Sequence, residues 1–205
     1  MNMTSTPGWY GKLPALGDFA SRRLASEWIA QWDGWLATGL HQLQQAAPDT
    51  WLEDYLASPA WRFALMPGSL PDGSGDGLRV GVLVPSVDRV GRYFPLVVIS
   101  PPLPRPVDSA QVAALWQWAG ELEDVAVQAL QDDWSAETLD AALANTPLPQ
   151  PHSAAAMPPA LAALLSQAAW ESLQGCSLWL HDGIAPQVQA ALPRGPAFAA
   201  LFRPN

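Results

Sequence analysis

The chain holds a single cysteine, three histidines and only ten basic residues among 205, against nineteen acids. One cysteine excludes a disulfide framework and a thiolate metal site. Lying beside the apolar run Leu178 to Leu180, Cys176 is expected as a buried core thiol. Also missing is any uncharged apolar run of about eighteen residues, the length needed to span a bilayer. The opening stretch MNMTSTPGWYGKLP has no basic segment followed by an apolar one. A soluble, cytoplasmic chain without direct membrane insertion is therefore expected. There is no Lys/Arg run and the net charge is −9. Neither counterion release from nucleic acid nor attraction to anionic lipid is available, and no nucleic-acid partner is expected. Lysine itself is nearly absent: Lys12 is the only one, and the other nine bases are arginine.

The chemistry of common active sites is equally thin. His41 lies on the polar flank of a helical pattern, His152 in a proline-rich stretch, and His181 after an apolar run. A triad of Ser86, Asp88 and His181 would need a nucleophile setting such as Gly-x-Ser-x-Gly, which does not surround Ser86. The glycine-rich segment Gly68 to Gly77 (GSLPDGSGDG) lacks the Lys-Ser/Thr ending of a phosphate loop and reads as a mobile surface loop. Its Asp72 and Asp76 do not supply enough oxygen ligands for a calcium loop. No catalytic residue, metal or cofactor is expected.

What is present is a large apolar content, 49%, with eleven tryptophans and twenty-one prolines. Such a chain can bury one sizeable core, so residues 1–205 are expected to form a single domain. Its halves differ. Residues 1–105 carry eight basic and nine acidic side chains, and residues 106–205 carry two and ten. The pattern predicts strands at Trp9–Leu13, Trp61–Leu65, Val80–Val84 and Phe94–Ile99, with a turn at Pro14–Asp18 whose Gly17 can take a positive φ. Helical periodicity runs from Leu24 to about Gln45 through Trp28, Trp32, Trp35, Leu36, Gly39 and Leu43, and a short helix follows at Trp51–Leu56. The second half predicts helices at Ala110–Gln131, Ser135–Leu143 and Ala160–Leu173 and one late strand at Ser177–Leu180. In the longest helix the apolar stripe is Val112, Leu115, Trp116, Ala119, Leu122, Ala126 and Leu130. Trp118 lies one step off it, placed either to anchor a partner or to pack at the stripe's edge. Strands 80–84 and 94–99 are joined by too short a loop for a parallel crossover. The fold class expected is α+β, an α/β/α-type sandwich with a mainly antiparallel central sheet covered by helices, in the manner of longin and profilin domains.

The segment Pro85 to Pro95, PSVDRVGRYFP, sets Ser86, Asp88, Arg89 and Arg92 between two uncharged apolar runs. Gly91 lies between the two arginines, so the loop turns there and presents two guanidinium forks suited to a carboxylate, a phosphate or a partner protein. The other reading of the same residues is that Asp88 and Ser86 satisfy the turn's amides while the arginines pair within the fold.

Four separated blocks, WYGKLPALGDFASRRL from Trp9, WDGWL from Trp32, PAWRFALMPG from Pro59 and GVLVPSVDRVGRYFPL from Gly81, resemble the TagF (ImpM) proteins associated with bacterial type VI secretion. SLWLHDG from Ser177 is a weaker block, and Leu192 to Leu201 fits the family's ending. The resemblance implies one TagF unit, without the phosphatase domain fused to it in some relatives. It further implies a cytoplasmic, non-catalytic negative regulator that represses secretion after translation. The implied partner is the forkhead-associated scaffold Fha, whose phosphorylation is set by a kinase and an opposing phosphatase.

The glycines and aromatics of these blocks suit tight turns and a core, which leaves the charged and polar residues Asp18, Arg22, Arg23, Ser86, Asp88, Arg89 and Arg92 as the candidates for partner binding. An ion pair from Asp18 or Asp88 to an arginine that locks strand ends is the structural alternative. A different functional reading is a small-anion sensor in which Arg89 and Arg92 hold the ligand.

Overall fold

The computed structural model describes residues 6–70, 72, 75, 77–106, 108–149, 170–181 and 185–202. Seven strands form one sheet: β1 (Gly8–Gly11), β2 (Ala20–Arg22), β3 (Trp61–Leu65), β4 (Arg79–Val84), β5 (Leu96–Ile99), β6 (Cys176–Leu180) and β7 (Gln187–Ala190). Their spatial order is β2-β1-β5-β4-β3-β6-β7, and every neighbouring pair is antiparallel. Helices α1 (Ser26–Ala46), α2 (Trp51–Ala57) and α5 (Pro196–Leu201) cover one face, and α3 (Ser109–Gln131) and α4 (Ala136–Ala144) the other. The molecule is the expected α+β sandwich.

Because both faces are covered, the central strands β4 and β5 are apolar on both sides and the two-residue period shows only in where each residue points. In β4, Leu83 enters the cluster under α1 while Val82 and Val84 enter the one under α3. In β5, Val97 and Ile99 take the first face and Leu96 and Val98 the second. α1 contributes Trp28, Trp32, Trp35, Leu36, Leu40 and Leu43, and α5 adds Phe198 and Leu201. A third cluster, Met66, Leu78, Val80, Trp170 and Leu178 among others, closes the β6 side of the second face.

Local chemistry sets the helix ends. Asp108 caps α3 by accepting from the Gln111 amide at 2.8 Å, and Ser135 caps α4 by accepting from Thr138 at 3.2 Å. Pro196 at the first turn starts α5, and the extended Ser58 before Pro59 ends α2. Tryptophan fastens distant segments with its indole N–H as well as its ring area. Trp35 donates to the Pro193 carbonyl at 2.7 Å and Trp61 to that of Leu201 at 2.8 Å, which docks α5.

Several expectations need correction. Of the two readings of Trp118, packing at the stripe's edge holds and the partner anchor does not: it is buried, at 2% exposure, and donates to the Thr146 carbonyl, because α4 covers that side of α3 and widens its apolar arc. Trp116, counted in the stripe, is only partly buried and lies against Arg62. Cys176 is half-buried at the start of β6. Gly17 is not left-handed; the positive φ values flanking that turn fall on Gly11, at 142°, and Arg23, at 58°. Phe94 precedes β5 rather than starting it, and its amide donates to the Ser86 carbonyl. Three elements were not expected: β2, β7 and α5. The helix read at Ala160–Leu173 lies outside the described residues except at its end, where Glu171–Leu173 forms a 3-10 turn. His152, Asp76 and part of the Gly68–Gly77 loop also lie outside them.

Candidate functional site: an Asp88 junction beneath an exposed two-loop tip

Strand order brings the charges of two separate loops together. β5 pairs antiparallel with both β1 and β4, so the chain leaves β1 and β4 at the same end of the sheet where it enters β5. The residues after β1 (Lys12 onward) and after β4 (Pro85 onward) therefore meet there. Close approach at this end requires Gly11: its φ is 142°, and a Cβ would sit 2.3 Å from the Pro95 carbonyl oxygen.

Asp88 is the centre of this junction. Its side chain is fully buried and its Oδ2 accepts from Lys12 Nζ at 2.6 Å and from Arg92 Nε at 2.7 Å. Its Oδ1 accepts from the amides of Val90 at 3.0 Å and Arg92 at 2.9 Å. The 88–92 turn is closed further by Gly91 N to the Asp88 carbonyl and Asp88 N to the Arg92 carbonyl, with Gly91 at φ 83°. Burial alone would raise the Asp88 carboxyl. The Lys12 ammonium, the Arg92 amide and guanidinium and the Val90 amide outweigh it and hold the group far below the usual carboxylate range.

Ser86 is buried beside it and donates through Oγ to the Lys12 carbonyl at 2.8 Å. Tyr55 of α2 bridges Ser86 twice, donating to its carbonyl and accepting from its amide, each at 2.9 Å. Burial pushes the Tyr55 phenol well up despite that carbonyl, so the hydroxyl stays protonated and serves in both directions. Lys12 Nζ also lies 4.2 Å from the centre of the Phe19 ring. Ser86 and Asp88 are thus engaged with Lys12, Tyr55 and Arg92, and His181 packs edge-on against Trp61 at 4.5 Å.

The seven candidate residues divide into three groups. Ser86, Asp88 and the inner side of Arg92 build the junction. Arg22 and Arg23 instead clasp the edge strand β2 to α4. Arg23 reaches Asp140 at 2.6 Å and the Pro7 carbonyl at 2.9 Å, while Arg22 lies 3.7 Å from Glu137 and over Trp9. The Arg23 guanidinium, with Trp9 Nε1 as a second donor against the effect of burial, holds the Asp140 carboxyl below its ordinary value. Asp18 and Arg89 form the third group, exposed at the surface. Among the described residues, the Asp18 carboxylate accepts only from the next amide, that of Phe19, and the Arg89 guanidinium makes no hydrogen bond or ion pair. The two arginine forks do not face one another as a matched pair, since Arg92 is turned onto Asp88 and the Gly17 carbonyl.

Lys12, Phe19, Tyr55 and Val90 complete the region and were not among the candidates. Lys12 carried one signal, being the only lysine and following an uncharged strand. The loops 14–19 and 88–92 are joined by Arg89 N donating to the Leu16 carbonyl at 2.9 Å and by Arg92 Nη2 donating to that of Gly17. Their joint tip leaves Phe19 41% and Val90 64% exposed, while Phe19 is held from below by Tyr10, at 5.5 Å, and Phe94, at 4.8 Å.

No curated protein matches this sequence. A crystal structure of PA0076 from Pseudomonas aeruginosa PAO1 is similar, with a TM-score of 0.76 and 34% identity over 97% of this chain and 94% of that one. The family described as the TagF N-terminal domain, type VI secretion system-associated, matches residues 8–146, which contain β1 to β5, α1 to α4, the Asp88 junction and the exposed tip. With more than half of its length in that match, the chain belongs to the TagF N-terminal domain family and is a type VI secretion-associated protein.

Proposed function

We propose that this protein is a cytoplasmic, non-catalytic negative regulator of type VI secretion that acts after translation by binding a component of the apparatus, the Fha scaffold. The observation that carries the reading is membership of the TagF N-terminal domain family. The site is consistent with it: the buried polar groups hold a loop in shape, and two of the groups left outward, Phe19 and Arg89, are of kinds enriched at protein interfaces. Among the described residues no helix is long and apolar enough to cross a membrane.

The test has two parts. Deleting the gene in a strain with an active apparatus should raise secretion, and calorimetric titration of the purified protein with phosphorylated and unphosphorylated Fha should show micromolar or tighter binding to at least one form. Unchanged secretion after deletion would end the repressor reading. Absence of binding to both forms would remove Fha as the direct partner.

A further inference from the structure

We infer that the tip formed by Asp18 and Phe19 with Arg89 to Arg92 grips an acidic segment of the partner protein, with Arg89 supplying the carboxylate clamp and Val90 and Phe19 the apolar contacts beside it. The inference rests on the protein's being an interaction module, as proposed above.

Three features support this assignment. The first is exposure. Phe19 and Val90 are two of four large apolar residues exposed among those described, and the fold sets them on loops tied to each other through Leu16 and Gly17. The second is charge. The tip presents the exposed guanidinium of Arg89, unpaired among the described residues, and the outer part of Arg92, whose side chain is 54% exposed. Against them stand the Asp88 carboxylate, buried between Lys12 and Arg92, and the exposed Asp18 carboxylate, which accepts from the Phe19 amide, so Lys12, Arg89 and Arg92 leave the tip with one positive charge in excess. A locally positive tip on a chain of net charge −9 selects an acidic partner segment there and disfavours one elsewhere. An exposed planar fork binds a carboxylate through two parallel hydrogen bonds.

The third is rigidity. Seven hydrogen bonds hold the tip's backbone and Arg92: Asp88 N to Arg92 O, Gly91 N to Asp88 O, Arg89 N to Leu16 O, Val90 N and Arg92 N to Asp88 Oδ1, Arg92 Nε to Asp88 Oδ2, and Arg92 Nη2 to Gly17 O. A loop already fixed loses little conformational freedom when it docks, so its few contacts translate into affinity. The buried junction thereby acquires a purpose: it preorganises a surface that itself contains few residues.

The test compares wild type with Arg89→Glu/Val90→Asp and with Arg105→Glu, a charge reversal beyond the opposite end of β5. Each is titrated calorimetrically with purified Fha, phosphorylated and unphosphorylated, and each is scored for repression of secretion in cells lacking the native gene. Thermal unfolding of each variant establishes that the fold is intact. The expected result is a loss of affinity of tenfold or more, with loss of repression, for the double variant alone, and wild-type affinity that falls as salt is raised. Binding within twofold of wild type by the double variant would overturn the inference and leave the Fha reading standing. If wild type binds neither form, the Fha reading fails, and secretion then decides the inference: derepression by the double variant supports an acidic partner elsewhere in the apparatus, and full repression overturns it.

Discussion

Lys12 and Asp88 stand 76 residues apart in sequence and 2.6 Å apart in space, with side chains 3% and 0% exposed. The pair ties the exit of β1 to the exit of β4 across β5, which lies between them. Burying two charges is unfavourable unless each finds its partner, so the contact specifies one arrangement of these loops more than it adds stability. The further donors onto Asp88, from Val90 and Arg92, complete the carboxylate and carry that specification into the exposed tip.

A double-mutant cycle on this pair should therefore show strong coupling. Lys12→Met leaves the buried carboxylate short of its ammonium, and Asp88→Asn leaves the ammonium without its counter-charge, so each alone should lower Tm by several degrees. The double variant removes both charges and should lie well above the sum of the two losses. Simple additivity in equilibrium unfolding would show that the two side chains are energetically independent.

The same carboxylate sets an acid dependence. Its pKa in the folded protein is far below the value of about 3.9 expected in the unfolded chain. A group depressed on folding contributes stability that is fully present above the unfolded value and is lost as pH falls toward the folded one. The gap in urea midpoint between wild type and Asp88→Asn should be widest near pH 7 and narrow progressively below about pH 4. A gap that stays constant from pH 7 to pH 3 would remove the Asp88 charge from the stability of the fold.

Arg89 and Arg92, three residues apart, should respond oppositely to truncation. Arg92 donates to Asp88 and to the Gly17 carbonyl, so Arg92→Ala removes contacts that close the turn and join the two loops, and Tm should fall. Among the described residues Arg89 bonds only through its backbone amide, which Arg89→Ala keeps, so Tm should stay within about a degree of wild type. Differential scanning calorimetry on the two variants separates structural from surface arginine, and equal losses would show that both belong to the fold.

The sequence was most legible where a pattern repeats. Trp61–Leu65 matches β3, the ends of α1, α3 and α4 fall within a residue or two of expectation, and the antiparallel α+β sandwich follows from the short link between β4 and β5. β2 and β7 escaped because three residues ending in a charge, and the polar alternation Gln-Val-Gln-Ala, make no apolar run; each is a strand only because a neighbour pairs with it. Trp118 was left between two readings for a related reason: the helical stripe of α3 records one contact surface, and the cover supplied by α4, which decides for packing, is a tertiary fact. At the site, a local reading could see that Asp88 and the arginines belong to one loop. It could not see that Arg92 turns inward and Arg89 outward, since that depends on Lys12 and Gly17 arriving from another strand. Tyr55 was invisible for the same cause, because α2 reaches the junction only through the packing of the whole sheet.

Tyr55→Phe gives the sharpest test of how the junction is supported from below. The ring is fully buried, stacked on Phe202 at 5.4 Å and edge-on to Tyr93 at 5.9 Å, and phenylalanine keeps all of that area. Only the hydroxyl is lost, and with it the partner of both the Ser86 amide and the Ser86 carbonyl. The carbonyl still accepts from Phe94 N, whereas among the described residues the buried amide has no acceptor but the phenol. One buried donor left unsatisfied costs about 1–3 kcal/mol. Urea unfolding should accordingly show a lower midpoint at unchanged slope. The loss belongs to the fold beneath the tip, so Arg89 and Val90 should remain as placed and affinity for the partner should change less than stability does. A Tyr55→Phe variant as stable as wild type would mean that water or a shifted acceptor replaces the phenol, and that Lys12 and Phe94 suffice to position Ser86.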